Sequence, residues 1–298
     1  MADLKSGLRK LLQALHLGAL YGVWRRLERY APRRLWRQAG FRRWNRGADR
    51  QEIVVRPGLR LRIDPRSREP FEWFCFRSLE MARELDAFMR AMAARRRFLD
   101  IGACHGIFAL AFAHRRPQVQ AVAVEPSAVA FEILAENVRL GRQGNILARQ
   151  LACGAAAGSL RMRQVWHHLE ALPGEPAAGV AGAEPEGVTT VPMGSVDELC
   201  VELDFRPDLV KIDVEGYELA VLQGARATLA QHRPQIFLEL HPDRLRQLGS
   251  SAAAVVLLLE ALGYRFFDLR GRPASSGQVA RRRSVSRIVC AAPAISGR

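Results

Sequence analysis

The chain has 298 residues, of which 49% are hydrophobic, and its formal net charge is +15. These figures suit one large α/β domain with appendages, or two small domains. Residues 1–50 hold 13 basic residues against 3 acids, and residues 281–298 hold 5 arginines and no acid. The stretch between them is therefore close to neutral, which argues against a body that binds nucleic acid.

Cysteine usage and hydropathy bear on the compartment. The five cysteines are odd in number and form no CxxC pair, which argues against a disulfide framework or a structural zinc site and favours a reducing compartment. No apolar run approaches the ~20 residues that span a bilayer. Residues 11–23 resemble a signal peptide, but Gln13 and His16 interrupt them and no small-residue cleavage site follows. We therefore expect a cytoplasmic protein that keeps this segment.

The first fifty residues form a basic extension that we predict to be helical. Apolar residues recur at helical spacing from Leu4 to Leu15, and three of the five tryptophans lie among the arginines that follow. One interpretation is an amphipathic segment in peripheral contact with the anionic inner membrane surface. The interpretation we favour is a helix docked on its own domain or on a partner, with its arginines in solvent.

The rest of the chain shows alternating strand and helix patterns. In chain order the predicted elements are a β-hairpin at 52–64, a helix at 77–95, a strand at 98–102, a helix at 105–115, a strand at 119–125, a helix at 127–140, a strand at 145–152, a strand at 208–213, a helix at 217–231, a strand at 235–240, a helix at 251–262, and strands at 264–269 and 284–290. This alternation predicts a mostly parallel sheet with helices on both faces.

Three further features complete the predicted organisation. No helix is predicted between the last two strands, so we expect them to pair as an antiparallel hairpin. Residues 166–187 are rich in Pro, Gly, Ala and Glu, which predicts a long flexible loop or lid. The domain is expected to span residues 51–292, followed by a tail at 293–298.

The sequence DIGACHG, residues 100–106, ends one predicted strand and opens a helix. Glycines at such a turn let the backbone approach a ligand, which binds beyond the carboxyl ends of parallel strands. The next strand ends at Glu125, whose carboxylate is placed to accept hydrogen bonds from ribose hydroxyls. Neither GxGxxG nor a P-loop is present, so we expect the nucleoside to be S-adenosylmethionine rather than NAD. The predicted cofactor-binding residues are Asp100, Gly102, Ala103, Cys104, His105, Gly106, Glu125 and Pro126.

Four blocks together resemble the FkbM-type methyltransferases. They are DIGACHG, VEP with FEILAEN at 124–137, DLVKIDVEGYELAVLQGA at 208–225, and IFLELH at 236–241, and the resemblance covers about 52–269. It implies a class I methyltransferase fold, with a mostly parallel seven-stranded sheet that ends in an antiparallel hairpin. It also implies S-adenosylmethionine and O-methylation of a hydroxyl on a sugar, glycolipid or secondary metabolite. The family usually has Asn where this chain has Cys104, which bears on cofactor affinity.

Charged residues mark the ends of two later strands. Lys211, Asp213 and Glu215 alternate along one, and Glu239 and His241 along the next, so each set lies on one side of its strand. Lys211 is the only lysine outside the N-terminus in a chain with 42 arginines. A buried ammonium needs a carboxylate partner, and we expect Asp213 or Glu239, in a pocket too small for a guanidinium.

These five residues are the predicted catalytic set. We expect Asp213 beside the acceptor or the sulfonium, although an N-cap of the next helix is an alternative role. His241 is the leading general base because its ordinary pKa lies near neutrality. Glu215 and Glu239 are candidates to orient substrate or act as base. These side chains would also suit a divalent metal, but nothing in the sequence requires one.

Two other functions remain open. An RNA ribose methyltransferase would use the basic ends as its electrostatic footprint. Base N-methylation is disfavoured, because DVEG stands where such enzymes have a [DN]PP[YF] tetrad. A non-catalytic scaffold could keep the same fold, but the retained carboxylates argue against it.

Overall fold

The computed structural model describes residues 41, 43–165, 168–172 and 186–293. Most of the N-terminal extension, the middle of the predicted loop and all but the first residue of the predicted tail lie outside the described residues. None of the described helices combines the length and hydropathy that a bilayer-spanning helix needs.

Fourteen strands occur in the described part of the chain. They are β1 Glu52–Arg56, β2 Leu59–Arg62, β3 Arg97–Ile101, β4 Gln120–Val124, β5 Ile146–Arg149, β6 Ala152–Gly154, β7 Gly158–Val165, β8 His168–Ala171, β9 Val188–Ser195, β10 Leu209–Ile212, β11 Gln235–Leu240, β12 Arg265–Phe267, β13 Pro273–Ala274 and β14 Ser286–Ala291. The α-helices are α1 Arg68–Glu72, α2 Leu79–Ala91, α3 Ile107–Ala113, α4 Ala128–Gly141, α5 Val196–Glu202, α6 Glu218–Gln223, α7 Arg226–His232, α8 Pro242–Gln247, α9 Ala252–Ala261 and α10 Ser276–Ala280. Within the described residues the predicted elements exist with ends shifted by a few residues, except that the strand at 145–152 and the helix at 217–231 are each divided in two.

The central sheet has the strand order β13-β12-β14-β11-β10-β3-β4-β5. Strands β5, β4, β3, β10 and β11 run parallel, and β14, β12 and β13 pair antiparallel. The predicted α/β fold is confirmed, but the sheet has eight strands rather than seven because the two-residue β13 adds an edge. The predicted terminal hairpin is wrong in its connection: β12 and β14 do pair, but β13 and α10 lie between them.

A second sheet of four strands, in the order β6-β9-β7-β8, was not predicted. Residues 145–152, predicted as one strand, divide between the two sheets, with β5 in the first and the start of β6 in the second. The predicted loop at 166–187 also contains β8, which pairs antiparallel with β7. Pairing with β7 holds the residues of β8 extended, although the composition of this segment is typical of a loop.

The helix predicted at 217–231 is divided into α6 and α7 at Gly224. A Cβ at Gly224 would overlap the carbonyl oxygen of Gly154 in β6, so the close approach of this helix turn to β6 requires glycine here. Gly224 therefore ends α6.

Two apolar layers cover the faces of the central sheet. On one face Phe88 of α2 packs against Phe98 of β3 and Phe237 of β11, at ring-centroid distances of 4.9 and 5.6 Å. Phe237 pairs with Lys211 in the sheet register, so α2 covers the face of the sheet on which Lys211 lies. Phe41 packs on Phe76 at 4.2 Å, and Asn45 bonds to the backbone of β1. The described end of the basic extension is thus packed on the domain, while the domain boundaries stay a prediction.

Candidate functional site

The glycine turn after β3 forms one wall of a cavity at the carboxyl ends of the parallel strands. Gly102 has a positive φ of 78°, and a Cβ there would overlap the carbonyl oxygen of Asp213, so only glycine fits. The backbone amides of Gly102 and Ala103 both donate to the carbonyl of Val124, at 3.0 Å. The turn is thereby held against the end of β4, and Glu125 is the next residue of the chain.

Cys104 occupies a left-handed position, with a φ of 49°. Asparagine tolerates this conformation better than most residues, which gives a backbone reason for the asparagine that is usual in the family. Burial raises the pKa of the Cys104 thiol to about 12, so it is protonated at neutral pH and is not a nucleophile. Its backbone amide still donates to Glu125 at 2.8 Å, and this contact does not depend on the side chain.

Glu125 is held by two backbone amides. Its Oε2 accepts from Cys104 and its Oε1 from Ser127, each at 2.8 Å, and only 5% of the residue is exposed. Ser127 also caps α4, because its side chain accepts a hydrogen bond from the backbone amide of Ala130. This fixed carboxylate at the tip of β4 is placed to bind a ribose across the glycine turn.

Two buried carboxyls in this cavity have unusually high pKa values. Burial raises the pKa of Asp100 to about 7 even though the nearby Lys211 opposes it, and burial raises the pKa of Glu125 to about 7. The Oδ2 atom of Asp100 accepts no hydrogen bond from the described residues. A cationic ligand would favour the ionised forms of both groups. The cavity therefore fits S-adenosylmethionine, whose sulfonium and amino groups are positive.

Lys211 of β10 lies under this cavity, with only 1% of its surface exposed. Its Nζ lies 3.2 Å from Glu84, 3.3 Å from Asp213 and 3.8 Å from Glu239. Burial alone would lower the pKa of Lys211, but these three carboxylates outweigh it and hold the pKa above its usual value. Both expected partners are thus confirmed, and a third, Glu84, was not anticipated.

Sequence reasoning missed Glu84 and Arg287. Glu84 lies on the buried face of α2, and Arg287 lies in β14, where its Nε is 3.0 Å from Glu84 and its Nη2 pairs with Glu239. The available signal was an acid on an otherwise apolar helix face, between Ala82 and Leu85. Because their partners come from distant segments, the ion network emerges only in the fold.

Asp213 and Glu215 follow β10 and line the same cavity as the glycine turn. Burial would raise the pKa of Asp213, but Lys211 and His241 lower it below its usual value, so Asp213 is ionised at neutral pH. Glu215 has a φ of 47°, a left-handed turn conformation that directs the chain into α6. The structure thus brings Lys211, Asp213 and Glu215 together beside the predicted cofactor residues.

Glu239 and His241 lie behind the cavity rather than in its lining. His241 Nδ1 contacts Glu218 at 2.7 Å, and Nε2 lies 3.3 Å from Glu215 and 3.7 Å from Glu239. Burial would lower the pKa of His241, but Glu218, Asp213 and Glu215 together raise it to about 9. The imidazole is therefore protonated at neutral pH, which disfavours it as a proton acceptor. Its role as general base stays a prediction.

Asp213, Glu239 and His241 could hold a metal ion, since one donor atom from each lies within 4.8 Å of the others. The carboxylates, however, already pair with Lys211 and Arg287. A divalent ion would have to compete with both of those cations and with the proton on His241. A divalent metal at this site therefore stays a prediction from the sequence.

The rest of the cavity lining is mainly apolar. It comes from α1 and the turn after it, from α3, and from the second sheet: Pro70, Phe71, Phe74, Ile107, Phe108, Leu160 and Met162. The predicted cofactor residues all line the cavity except Gly106, which has a φ of 85° and begins α3. One cavity thus combines the predicted nucleoside-binding turn, the ionised carboxylate of Asp213 and an apolar surround.

The sheet order, the glycine turn and the Glu125 tip are consistent with the predicted class I methyltransferase fold. The family model described as "Methyltransferase FkbM domain" matches residues 100–266, more than half of the chain. The chain belongs to the FkbM methyltransferase family.

Solved structures with similar folds are distant in sequence. A methyltransferase FkbM from Methylobacillus flagellatus KT is 15% identical, with a TM-score of 0.41, and the match covers 65% of this chain and 43% of that one. For the StiE O-MT, residues 961–1257, the identity is 14%, the TM-score 0.41 and the coverage 82% and 81%. A putative O-methyltransferase from Klebsiella pneumoniae is 11% identical, with a TM-score of 0.40 and coverage of 72% and 80%. A search of curated proteins returned no match.

Proposed function

We propose that this methyltransferase transfers a methyl group to a hydroxyl of a small molecule or glycan. The observation that carries the proposal is the juxtaposition in one cavity of the nucleoside-binding residues with the ionised carboxylate of Asp213. A hydroxyl acceptor needs a group that accepts its proton, and Asp213 is the ionised candidate that lines the cavity.

When bound, S-adenosylmethionine supplies a methyl group for in-line transfer to the acceptor oxygen. Glu125 and the Gly102 turn would hold its nucleoside, and the carboxylate of Asp100 would face its positive groups. The acceptor must be held within contact distance on the transfer axis. The apolar residues from α1, α3 and the second sheet exclude water from this part of the cavity.

Asp213 accepts a hydrogen bond from the acceptor hydroxyl and then takes its proton. The low pKa of Asp213 does not prevent this, because an alcohol oxygen becomes strongly acidic as it forms its new bond to carbon. Lys211, at 3.3 Å, fixes the carboxylate, and about a quarter of the Asp213 side chain (26%) is exposed, which gives the proton a route to solvent. His241 pairs with Glu215 and fixes the neighbouring acid.

The first test is cofactor binding. Calorimetry should show that Glu125→Ala abolishes S-adenosylmethionine binding, because the carboxylate that holds the ribose is removed. Glu132→Ala is a matched control on the exposed side of α4, where the Glu132 side chain is 68% exposed, and it should bind normally. Unchanged affinity in Glu125→Ala would overturn the ribose assignment.

The second test is turnover with labelled S-adenosylmethionine and a panel of sugars, glycolipids, hydroxylated metabolites and RNA. Asp213→Asn should lower kcat by about 100-fold or more while cofactor affinity changes little. Full activity of Asp213→Asn would refute its role as proton acceptor. Methylation confined to RNA ribose would replace the proposed acceptor class with the alternative.

A further inference from the structure

A second cleft, with a volume of about 590 Å³, lies between α2, the turn that joins β12 to β13, and the residues that lead into β14. We call it the arginine cleft. Six arginines line it, Arg83, Arg90, Arg270, Arg272, Arg282 and Arg287, together with the acids Glu80, Asp86 and Asp268. The six positive and three negative charges leave a surplus of three positive charges.

The acids of the arginine cleft are already engaged. Asp268 pairs with Arg272 at 2.6 Å, Asp86 pairs with Arg56 outside the cleft at 2.7 Å, and Glu80 lies 3.5 Å from Arg287. Across the described part of the chain, Arg83, Arg270 and Arg282 form no ion pair. The chain is rich in arginine, so their number alone indicates little. Their convergence on one concave surface without acidic partners favours an anionic ligand.

Ser286 is a second, independent observation. It lines the cleft at the start of β14, is only 7% exposed, and its Oγ forms no hydrogen bond with any described residue. A buried hydroxyl without a partner is costly, because it has lost water without gaining another contact. An anionic ligand at this end of the cleft is a ready acceptor for that hydroxyl.

The arginine cleft and the candidate active site share one layer of side chains. Lys211 lines the cavity, Arg287 lines the cleft, and Glu84 lies between them, with carboxylate oxygens 3.2 Å from Lys211 and 3.0 Å from Arg287. Arg287 also pairs with Glu239. A ligand in the cleft is therefore separated from the reaction face by a single ion network.

We propose that the arginine cleft binds a small molecule that carries a phosphate group. The planar guanidinium groups of Arg83, Arg270 and Arg282 match the paired oxygens of phosphate and hold it by charge-assisted hydrogen bonds. The ligand lies across the buried Lys211–Glu84–Arg287 network from Asp213, so the cleft is a site separate from the methyl-transfer cavity. The inference goes beyond the proposed function and does not depend on it.

Inorganic pyrophosphate is the probe, titrated into the full chain by calorimetry at about 150 mM salt so that diffuse attraction is screened. The triple variant Arg83→Gln, Arg270→Gln and Arg282→Gln should weaken binding by about tenfold or more. A control triple, Arg206→Gln, Arg226→Gln and Arg265→Gln, removes the same charge at exposed positions that line neither cavity. It should bind as the parent does. The inference is overturned if the parent does not bind, or if both triples weaken alike.

Two further measurements separate the possible outcomes. The cleft triple should keep its affinity for S-adenosylmethionine, since no substituted residue lines that cavity. If the parent binds pyrophosphate but not S-adenosylmethionine, the proposed function fails and the anion site stands. If phosphatidylglycerol vesicles bind through the cleft while pyrophosphate does not, the site recognises a lipid surface, and the assignment to a small phosphorylated ligand is wrong.

Discussion

Replacing Lys211 with methionine should destabilise the protein strongly, because the buried carboxylates around it then lose the positive charge that they share. Methionine keeps much of the side-chain volume, so the loss is mainly electrostatic. Arg287 still pairs with Glu84 and Glu239 in the variant, and His241 remains near Asp213. Removing one partner of a buried pair typically costs ~3–5 kcal/mol, and the remaining cations place this case near the lower end, at about 3 kcal/mol.

The dependence on pH follows from the same charges. In the parent, Lys211 lowers the pKa of Asp213, so this contribution to stability is present above the unfolded pKa and is lost as the pH falls through the folded pKa. In Lys211→Met the carboxyl pKa values rise, and the folded variant takes up protons more readily on acidification. The stability difference between variant and parent should therefore shrink as the pH falls from 8 to about 5.

Urea unfolding of both proteins across this pH range measures the effect. A double-mutant cycle with Glu84→Gln should recover part of the loss, because it removes one of the uncompensated carboxylates. A loss below about 1 kcal/mol, or one that does not change with pH, would refute the network as an electrostatic unit.

The remaining predictions concern His241 and the N-terminal extension. NMR should show that His241 titrates with a pKa of about 9, because Glu218, Asp213 and Glu215 stabilise its protonated form. The variant His241→Gln identifies the signal that belongs to this residue. The raised pKa of His241 adds about 3 kcal/mol to the stability of the folded state, which is fully present below pH ~6.5 and is lost as the pH rises through 9. A measured pKa near 6.5 would show that the three acids do not stabilise the cation, and His241 would again be a candidate for the neutral base. Deletion of residues 1–40 should leave S-adenosylmethionine affinity unchanged, because the described residues that line the cavity all lie between 70 and 217, and should reduce vesicle association. The cut stops before Phe41 because that side chain packs on Phe76; a truncated protein that aggregates would show that the segment is structural.

Local patterns account for what could be predicted from the sequence. Strands β3, β4, β10 and β11 are short apolar runs, and each ends in charged or glycine residues. Parallel strands bring their carboxyl ends to one edge, so Gly102, Glu125 and Asp213 could be placed together without knowing any long-range contact. The period-two alternation likewise put Lys211 and Asp213 on one side of β10.

Other features depend on contacts between segments that are far apart in the sequence, and no local pattern predicts those contacts. The second sheet forms because β8 and β9 pair with β7 across a stretch whose composition predicts a loop. In the same way, the acid on α2 meets a lysine from β10 and an arginine from β14 only after the sheet is assembled.

Local sequence patterns were enough to predict the fold class, the positions of the parallel strands along the chain and the residues at their tips, because these follow from short-range periodicity and from backbone requirements such as that of Gly102. Only the tertiary structure decided which charges pair. It gave Lys211 its third carboxylate, made His241 a cation, and brought arginines from three separate segments to one cleft. The physical reason is that a charge's ionisation and role depend on burial and on its nearest opposite charges, and both are properties of the assembled chain.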